Sequence, residues 1–209
     1  MKTILCYGDS NTYGYDPNTS GRYPKGKRWP VLLQKKLGPD YDVVSEGLNG
    51  RTTAYDREDI FKNGYYCLKP CLYSNKPIDI VVTMLGTNDC NAELNLSAED
   101  IAKGMELLIT TIEEYSLELQ EFVPEIIIIT PAAILDDYAN SPFADQLDEF
   151  SVIKSRAIAP LYEDIAKRHN CKFINCVDQI EVSSVDSEHL TLEGHAKLAN
   201  LVYEKIMTK

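Results

Sequence analysis

The stretch Glu125-Ile126-Ile127-Ile128-Ile129-Thr130 decides the fold class of this chain. Its four consecutive isoleucines leave no polar side for water, as expected of a strand in a parallel sheet whose two faces are both covered by helices. A second apolar run of the same kind occupies residues 79–85. Three shorter runs rich in β-forming residues complete the set, at residues 3–7, 41–45 and 172–176. These five runs predict a five-stranded, mostly parallel sheet.

Helical patterns lie between and after these strands. A helix from Trp29 stops at Gly38-Pro39, because glycine favours a helix end and proline cannot continue one. Ser97 begins the next helix, and one face of it then carries Ile101, Met105, Leu108 and Ile112. A third helix is expected at about residues 151–169 and a last one from Thr191. Alternating strands and helices predict a three-layer α/β/α sandwich with right-handed crossovers, and we expect residues 1–209 to form a single domain.

Composition narrows the classes of function. The chain has 21 Lys and Arg against 32 Asp and Glu, a formal charge of −11, which argues against nucleic acid as a partner. No run approaches the roughly 20 apolar residues of a membrane helix, so no membrane partner is expected. The apolar run at the N-terminus is shorter than the core of a signal peptide, which makes the cytoplasm the expected compartment. We expect the six cysteines to be thiols, with no metal and no cofactor, because their spacing fits no zinc pattern.

A serine follows the first predicted strand directly, in Gly8-Asp9-Ser10-Asn11. Ligands of parallel α/β sheets bind at the carboxyl ends of the strands, where a serine hydroxyl can project into the crevice. Glycine allows the chain to turn sharply there. The same four residue types are also the ordinary residues of a turn. The tetrapeptide alone therefore allows a nucleophile but does not require one.

Two further strand ends carry groups that can stabilise a developing negative charge. Gly86-Thr87-Asn88-Asp89 follows the third strand, and the Asn88 amide can donate a hydrogen bond without titrating. Leu48-Asn49-Gly50-Arg51 follows the second strand, where Gly50 can offer a backbone N–H at close range. Taken singly, these segments also fit simple turns and loops.

Asp186-Ser187-Glu188-His189 lies after the fifth strand, just before the last helix. A nucleophilic serine needs a base within hydrogen-bonding reach, and the base needs a carboxylate to orient it. The three-residue separation lets Asp186 accept a hydrogen bond from the imidazole of His189, although a surface histidine beside a helix start is the plain alternative. His169, at a helix end, and His195, in the first turn of the last helix, are expected to be structural.

Taken together, these four strand-end segments resemble the SGNH (GDSL-type) hydrolase family over about residues 3–206. Ser10 is similar to the serine of that family's first motif, Gly50 to the glycine of the second and Asn88 to the asparagine of the third. Asp186 and His189 are similar to its final Asp-x-x-His motif. The resemblance implies a flavodoxin-like strand order and hydrolysis of an ester through an acyl-Ser10 intermediate. It also implies a catalytic triad of Ser10, Asp186 and His189, with an oxyanion hole of the Ser10 and Gly50 backbone N–H groups and the Asn88 side chain.

Within the family, the chain is most similar to bacterial arylesterase/acyltransferase-type members. Two departures concern the substrate pocket. Asn11 stands where the family usually has leucine, and Tyr13 and Tyr15 stand where those arylesterases tend to carry tryptophan. Asn11, Tyr13 and Tyr15 are therefore predicted substrate contacts, in a pocket more polar than that of the arylesterases.

Two segments with weak structural signals, residues 13–27 and 136–146, are expected to form loops over the active face. They supply five aromatic side chains, those of Tyr13, Tyr15, Tyr23, Tyr138 and Phe143. An aromatic wall of this kind predicts small acyl groups on bulky or aryl alcohols, with measurable acyl transfer to added alcohol. The alternative is that these rings merely cover the end of the sheet.

The sequence leaves three other functions open. A carbohydrate O-acetyl esterase of the same family would use the same catalytic residues. A family member without catalysis would act as a binding module. A flavodoxin-like flavin binder would need a phosphate-binding loop, which the sequence does not show. The expected partner is a small-molecule ester of unassigned identity, and a homo-oligomer is left open.

Overall fold

The computed structural model describes residues 1–57 and 59–208. Its strands are β1 Lys2–Gly8, β2 Tyr15–Asp16, β3 Gly21–Arg22, β4 Tyr41–Gly47, β5 Ile80–Met84, β6 Glu125–Ile129 and β7 Lys172–Ile174. Its α-helices are α1 Ser10–Tyr13, α2 Trp29–Leu37, α3 Gly64–Asn75, α4 Ala98–Gln120, α5 Glu149–Arg168 and α6 Leu192–Met207. None of these helices is long and apolar enough to cross a membrane.

Within the described residues, one sheet holds five parallel strands in the order β4-β1-β5-β6-β7. The earliest strand therefore lies inside the sheet, between β4 and β5. This is the flavodoxin-like order, and the predicted five-stranded α/β/α architecture is confirmed. β2 and β3 form a separate short antiparallel pair near the carboxyl end of β1.

Alternate side chains of the sheet pack against opposite helical layers. Leu5, Val81 and Ile128 belong to the core shared with α3, α4 and α5. Their chain neighbours Ile4, Val82 and Ile127 belong to the core shared with α2 and α6. The uninterrupted apolar runs of β5 and β6 are thus explained, because every residue of β5 and every residue of β6 after Glu125 is buried.

The helix ends follow local chemistry that is visible in the sequence. Gly38 ends α2 at a φ of +76°, a region that glycine enters at little cost. Ser97 caps α4, and it exchanges reciprocal side-chain and backbone hydrogen bonds with Asp100. Asp148 and Ser151 form the same arrangement at the start of α5. The helices predicted from residues 29, 97, 151 and 191 are each present to within two residues.

One helix, α3, was not predicted. Its sequence contains Pro70 in the interior, which removes a backbone donor and normally argues against a helix. Packing compensates, since Leu68 and Leu72 on one face are both buried in the core. The spacing of these two leucines, one turn apart, is the sequence signal that indicates this helix.

Candidate active site

The turn after β1 places Ser10 at the open edge of the sheet. Asp9 caps the short helix α1, and its Oδ1 accepts a hydrogen bond from the Asn11 backbone N–H at 2.9 Å. Ser10 is the first helical residue and is buried, although its side chain reaches the cleft described below. The helix N-terminus thus holds the serine in a fixed direction.

The loop before α6 brings an imidazole to this serine. The Nε2 atom of His189 lies 2.8 Å from Ser10 Oγ, and its Nδ1 atom lies 2.7 Å from Asp186 Oδ2. Asp186 Oδ1 also accepts a hydrogen bond from the His189 backbone N–H at 3.1 Å. The structure therefore brings together Ser10, His189 and Asp186 in a continuous hydrogen-bonded chain.

Asn11 ties the two halves of this chain to each other. Its Oδ1 accepts a hydrogen bond from the Leu190 backbone N–H at 2.9 Å, and its Nδ2 donates to the Glu188 carbonyl at 3.3 Å. These two bonds flank His189, so that the residue beside the serine fixes the position of the imidazole. The side chain of Asn11 is thus hydrogen-bonded to the loop that carries His189, and its role as a substrate contact stays a prediction.

Tyr13, the second predicted substrate contact, also has a partner within the chain. Its ring lies under the Arg22 guanidinium, 3.9 Å from the guanidinium carbon, and it does not line the cleft. Tyr23 is buried against His195, and Tyr138 packs on the core beside α5. Of the predicted aromatic wall, only Tyr15 and Phe143 reach the cleft, because the remaining rings have partners inside the protein.

Gly50 and Asn88 line the same cleft as Ser10 and His189. Gly50 has a φ of +78°, which turns the chain so that its N–H is left without a partner among the described residues. The Ser10 N–H is likewise unpaired there. Asn88 Nδ2 donates to the Arg51 carbonyl at 3.0 Å, which orients the amide. The structure thus brings all three predicted oxyanion donors to one side of the serine.

Arg51 holds this side of the site together, a role that sequence reasoning missed. Its Nη1 donates to the Gly8 carbonyl at 2.8 Å and also to the Glu46 carbonyl, linking the ends of β1 and β4. Its guanidinium carbon lies 4.2 Å from the centre of the Tyr7 ring. The available signal in the sequence is an arginine four residues after Gly47, the last residue of β4, in a loop otherwise suited to solvent.

Asp89 anchors the loop that contains Arg51 by accepting hydrogen bonds from Thr53. Both of its carboxylate oxygens lie 3.0 Å from the Thr53 backbone nitrogen, and Oδ1 accepts a hydrogen bond from the Thr53 hydroxyl at 2.5 Å. Burial raises the pKa of Asp89 to about 6, against the opposing effect of these hydrogen bonds.

Electrostatics around His189 favour its protonated form. Burial lowers the pKa of the imidazole, but the hydrogen bond to Asp186 and the nearby carboxyl groups of Glu188, Asp186 and Asp9 raise it above 6.5. Burial in turn raises the pKa of Asp9 to about 6. These carboxyl groups also stabilise the imidazolium that forms when His189 takes the serine proton.

The cleft above these residues has a volume of about 520 Å³. Two aromatic rings flank the imidazole, with the centre of the Tyr15 ring 4.3 Å and that of Phe143 5.9 Å from the centre of the His189 ring. Most of the remaining lining is polar and includes Asn49, Arg57, Asn91, Gln146 and Glu188. Arg57 Nη2 pairs with Glu93 Oε1 at 2.9 Å and reaches Gln146 Oε1 at 3.4 Å, which joins three loops at the rim. The cleft is therefore mostly polar, with two aromatic faces.

The other two histidines, His195 and His169, form hydrogen bonds away from the serine. His195 is buried, its Nδ1 accepts a hydrogen bond from the Trp29 backbone N–H at 3.4 Å, and burial lowers its pKa to about 4. His169 lies between Glu113 and Glu106, at 2.9 and 3.3 Å. Within residues 1–57 and 59–208, no group of three or more His, Cys, Asp or Glu side chains is arranged to hold a metal ion.

The chain is similar to known proteins along nearly its whole length. Residues 6–197 match the sequence profile of the GDSL-like Lipase/Acylhydrolase family. A carbohydrate acetylesterase family member from Sinorhizobium meliloti is 38% identical, with a TM-score of 0.91 over 99% of this chain and 97% of that one. The aryl esterase of M. smegmatis is 30% identical, with a TM-score of 0.91 over 99% of this chain and 98% of the other.

A putative arylesterase from Agrobacterium tumefaciens is 32% identical, with a TM-score of 0.88 over 99% of this chain and 98% of that one. Among curated protein sequences, none matches the chain. The family profile covers both the serine turn and the loop that carries His189, the two segments whose meeting builds the site. The chain belongs to the GDSL-like lipase/acylhydrolase family, the SGNH hydrolases.

Proposed function

We propose that this carboxylic ester hydrolase cleaves small esters through a covalent acyl-Ser10 intermediate. The observation that carries the proposal is the chain of hydrogen bonds from Ser10 Oγ to His189 Nε2, 2.8 Å, and from His189 Nδ1 to Asp186 Oδ2, 2.7 Å. A serine hydroxyl becomes a nucleophile when an oriented base lies within hydrogen-bonding reach.

Each step then has a residue to perform it. His189 takes the proton of Ser10 as Oγ attacks the ester carbonyl carbon, and Asp186 stabilises the resulting imidazolium. The negative charge on the carbonyl oxygen is stabilised by the Ser10 and Gly50 N–H groups and the Asn88 amide. His189 returns the proton to the leaving alcohol, and then activates water to hydrolyse the acyl-serine.

An alcohol can take the place of water in the last step, and we propose acyl transfer as a second outcome at the same serine. Tyr15 and Phe143 offer aromatic faces against which an alcohol can bind beside His189. With vinyl acetate and benzyl alcohol, we expect benzyl acetate above the uncatalysed control. Acetic acid alone would reject the transfer and leave the esterase proposal intact.

A second candidate for the physiological substrate is an acetylated carbohydrate. The polar side chains around the cleft favour it, because sugar hydroxyls need hydrogen-bonding partners wherever they are removed from water. Both a carbohydrate acetylesterase family member and an aryl esterase are among the similar structures. Rates on acetylated xylose, compared with those on p-nitrophenyl acetate, distinguish the two substrate classes.

Replacement of the serine tests the mechanism. Ser10→Ala should lose about 10³-fold or more of p-nitrophenyl acetate hydrolysis and all labelling by a fluorophosphonate probe, because no other nucleophile is in place. Ser184→Ala, at an exposed serine in the same segment as His189, is the matched control and should react like the wild type. Labelling of Ser10→Ala at the wild-type rate would overturn the proposal, and absence of labelling of the wild type would favour a non-catalytic binding protein.

A further inference from the structure

Glu188 places a carboxyl group in the cleft that the catalytic chain does not use. Its side chain is 14% exposed and lines the cleft beside His189. Among the described residues, no hydrogen bond to this carboxyl group is formed, and its nearest charged contact is His189 Nδ1 at 3.8 Å. A carboxyl group that lines the cleft and receives no hydrogen bond from the described residues keeps its acceptor positions available to a bound ligand.

The side chain of Glu188 also contributes nothing visible to the shape of its loop. The loop is held by backbone groups: the Glu188 carbonyl accepts from Asn11, and the Glu188 N–H donates to Asp186 Oδ1 at 3.4 Å. A smaller or apolar side chain would preserve both bonds. The carboxyl group is therefore free to serve a ligand.

Its place beside His189 identifies the part of the substrate that it faces. The imidazole must deliver its proton to the leaving alcohol, so the alcohol lies next to His189 during that step. The oxyanion donors Gly50 and Asn88 instead serve the carbonyl oxygen of the ester. Glu188, Tyr15 and Phe143 consequently surround the alcohol half of a bound ester.

The chemistry of this group selects hydroxylated alcohols. A carboxylate presents about four acceptor positions, and a protonated carboxyl still accepts at one oxygen and donates at the other. Burial raises the pKa of Glu188 to about 7, and either form suits a hydroxyl group, which both donates and accepts. An aryl alcohol has no such group to offer once it is part of an ester.

We propose that Glu188 is a specificity-determining residue, which hydrogen-bonds a hydroxyl group of a polyhydroxylated alcohol while Tyr15 and Phe143 contact its carbon skeleton. The inference rests on the proposed esterase reaction at Ser10, and it assigns the alcohol half of the substrate to a sugar-like class. The discrimination arises because an ester without that hydroxyl leaves the carboxyl group buried and unpaired.

The test compares two esters that share the acetyl group and differ in the alcohol, acetylated xylose and p-nitrophenyl acetate. In Glu188→Leu, the ratio of kcat/KM for acetylated xylose to that for p-nitrophenyl acetate should fall about 10- to 100-fold, the worth of one hydrogen bond to a charged group. Glu188→Gln keeps an acceptor oxygen and should restore part of the ratio. Glu181→Leu, an exposed glutamate with the same charge change, is the matched control and should keep the wild-type ratio.

Two outcomes would overturn the inference. If Glu188→Leu lowers kcat/KM equally for both esters, Glu188 acts through His189. If the wild-type enzyme cleaves p-nitrophenyl acetate but not acetylated xylose, the cleft does not recognise a polyhydroxylated alcohol. In both cases the wild type still hydrolyses an ester and reacts with a fluorophosphonate. Failure of the esterase proposal itself gives a different result, since neither ester is then cleaved and no labelling occurs.

Discussion

Arg51 shows how one buried residue can orient a neighbouring side chain, the Asn88 amide, toward the negative charge that develops on the ester oxygen. The Arg51 carbonyl accepts from the Asn88 amide, and the Arg51 guanidinium is fixed by carbonyl oxygens at the ends of two strands. The amide therefore needs no reorganisation when the ester carbonyl oxygen becomes negative. Such preorganised donors supply much of the stabilisation of a transition state.

We expect Asn88→Ala to reduce kcat for p-nitrophenyl acetate by about 10²- to 10³-fold, because one of three oxyanion donors is lost. KM should change far less, since the ground-state ester carries little charge on this oxygen. Asn18→Ala, at an exposed turn, is the control for amide removal and should keep the wild-type kcat. A wild-type kcat in Asn88→Ala would show that this amide does not contact the oxyanion.

The carboxyl groups around His189 predict a particular pH dependence. Their net effect holds the pKa of the imidazole above 6.5, and only the neutral imidazole can take the serine proton. The kcat/KM for p-nitrophenyl acetate should therefore rise with pH through an inflection above 6.5. Since Glu188 contributes to the raised pKa, Glu188→Gln should move the inflection to lower pH, whereas Glu181→Gln should not. An unchanged inflection in Glu188→Gln would contradict this electrostatic account.

The raised pKa of Asp9 predicts that stability falls as pH rises, whereas a salt-bridged carboxylate would make stability fall as pH drops. Burial raises its pKa from 3.8 to about 6, so the folded protein binds this proton more tightly than the unfolded chain does. The stabilisation is complete below the unfolded value and is lost as pH rises through about 6. Relative to Asp9→Asn, the wild type should lose up to about 1.4 kcal/mol of unfolding free energy per pH unit in that window.

Urea unfolding at several pH values between these limits measures this difference. Asn retains the Oδ1 acceptor for the Asn11 N–H, so the cap of α1 is preserved in the variant. The exposed Asp42→Asn should follow the wild type in parallel. A constant difference between Asp9→Asn and the wild type would mean that Asp9 stays ionised in the folded protein.

At the scale of elements, the serine turn depends on how closely α1 lies on the end of β4. A Cβ atom at Gly47 would lie 2.1 Å from the Tyr13 nitrogen and 2.5 Å from the Thr12 carbonyl carbon, and both of these are backbone atoms. A methyl group there must displace α1. The displacement would move Ser10 away from His189.

Gly47→Ala should therefore cost about 1 to 3 kcal/mol of stability and at least about 10-fold in kcat/KM for p-nitrophenyl acetate. Gly26→Ala is the matched control, because a methyl group added at Gly26 would meet no atom within 4 Å, and it should keep wild-type activity and Tm. Wild-type activity in Gly47→Ala would show that α1 tolerates the shift.

The elements that the sequence predicts well are those with local signals. The apolar runs of β1, β5 and β6 and the caps at Gly38 and Ser97 each depend on residues next to one another in the chain. Helix α3 depends instead on burial of Leu68 and Leu72 against distant strands, which overrides the local effect of Pro70. The spacing of these leucines one turn apart indicates the helix in the sequence, but only the packing shows that their burial outweighs the effect of Pro70.

At the scale of the whole molecule, the charge of −11 should affect which esters reach the cleft. A field of this sign repels anions, and added salt screens the repulsion. We expect kcat/KM for a negatively charged ester, such as p-nitrophenyl succinate, to rise several-fold between low and high salt. The value for neutral p-nitrophenyl acetate is the internal control and should stay constant, whereas a fall for the anionic ester would indicate local attraction in the cleft.

The same contrast between local and distant information holds for the site. Ser10, Gly50, Asn88, Asp186 and His189 are recognisable from short motifs, and the structure brings them together. The roles of Asn11 and Arg51 cannot be recognised from short motifs, because each depends on a hydrogen bond to a backbone group far away in the sequence. The single domain and the cytoplasmic location stay predictions, the former supported by one sheet with a core on each face.

Ser10 and His189 are 179 residues apart, and so are the Asn11 side chain and the Leu190 N–H that seat the imidazole. During translation, the nucleophile is made before the carboxylate and the base, and the base follows it by 179 residues. β1 is likewise synthesised before both of its neighbours in the sheet, β4 and β5. The catalytic chain of hydrogen bonds can therefore form only after every strand of the sheet has been synthesised, and a nascent chain that stalls before residue 189 lacks the base that activates the serine.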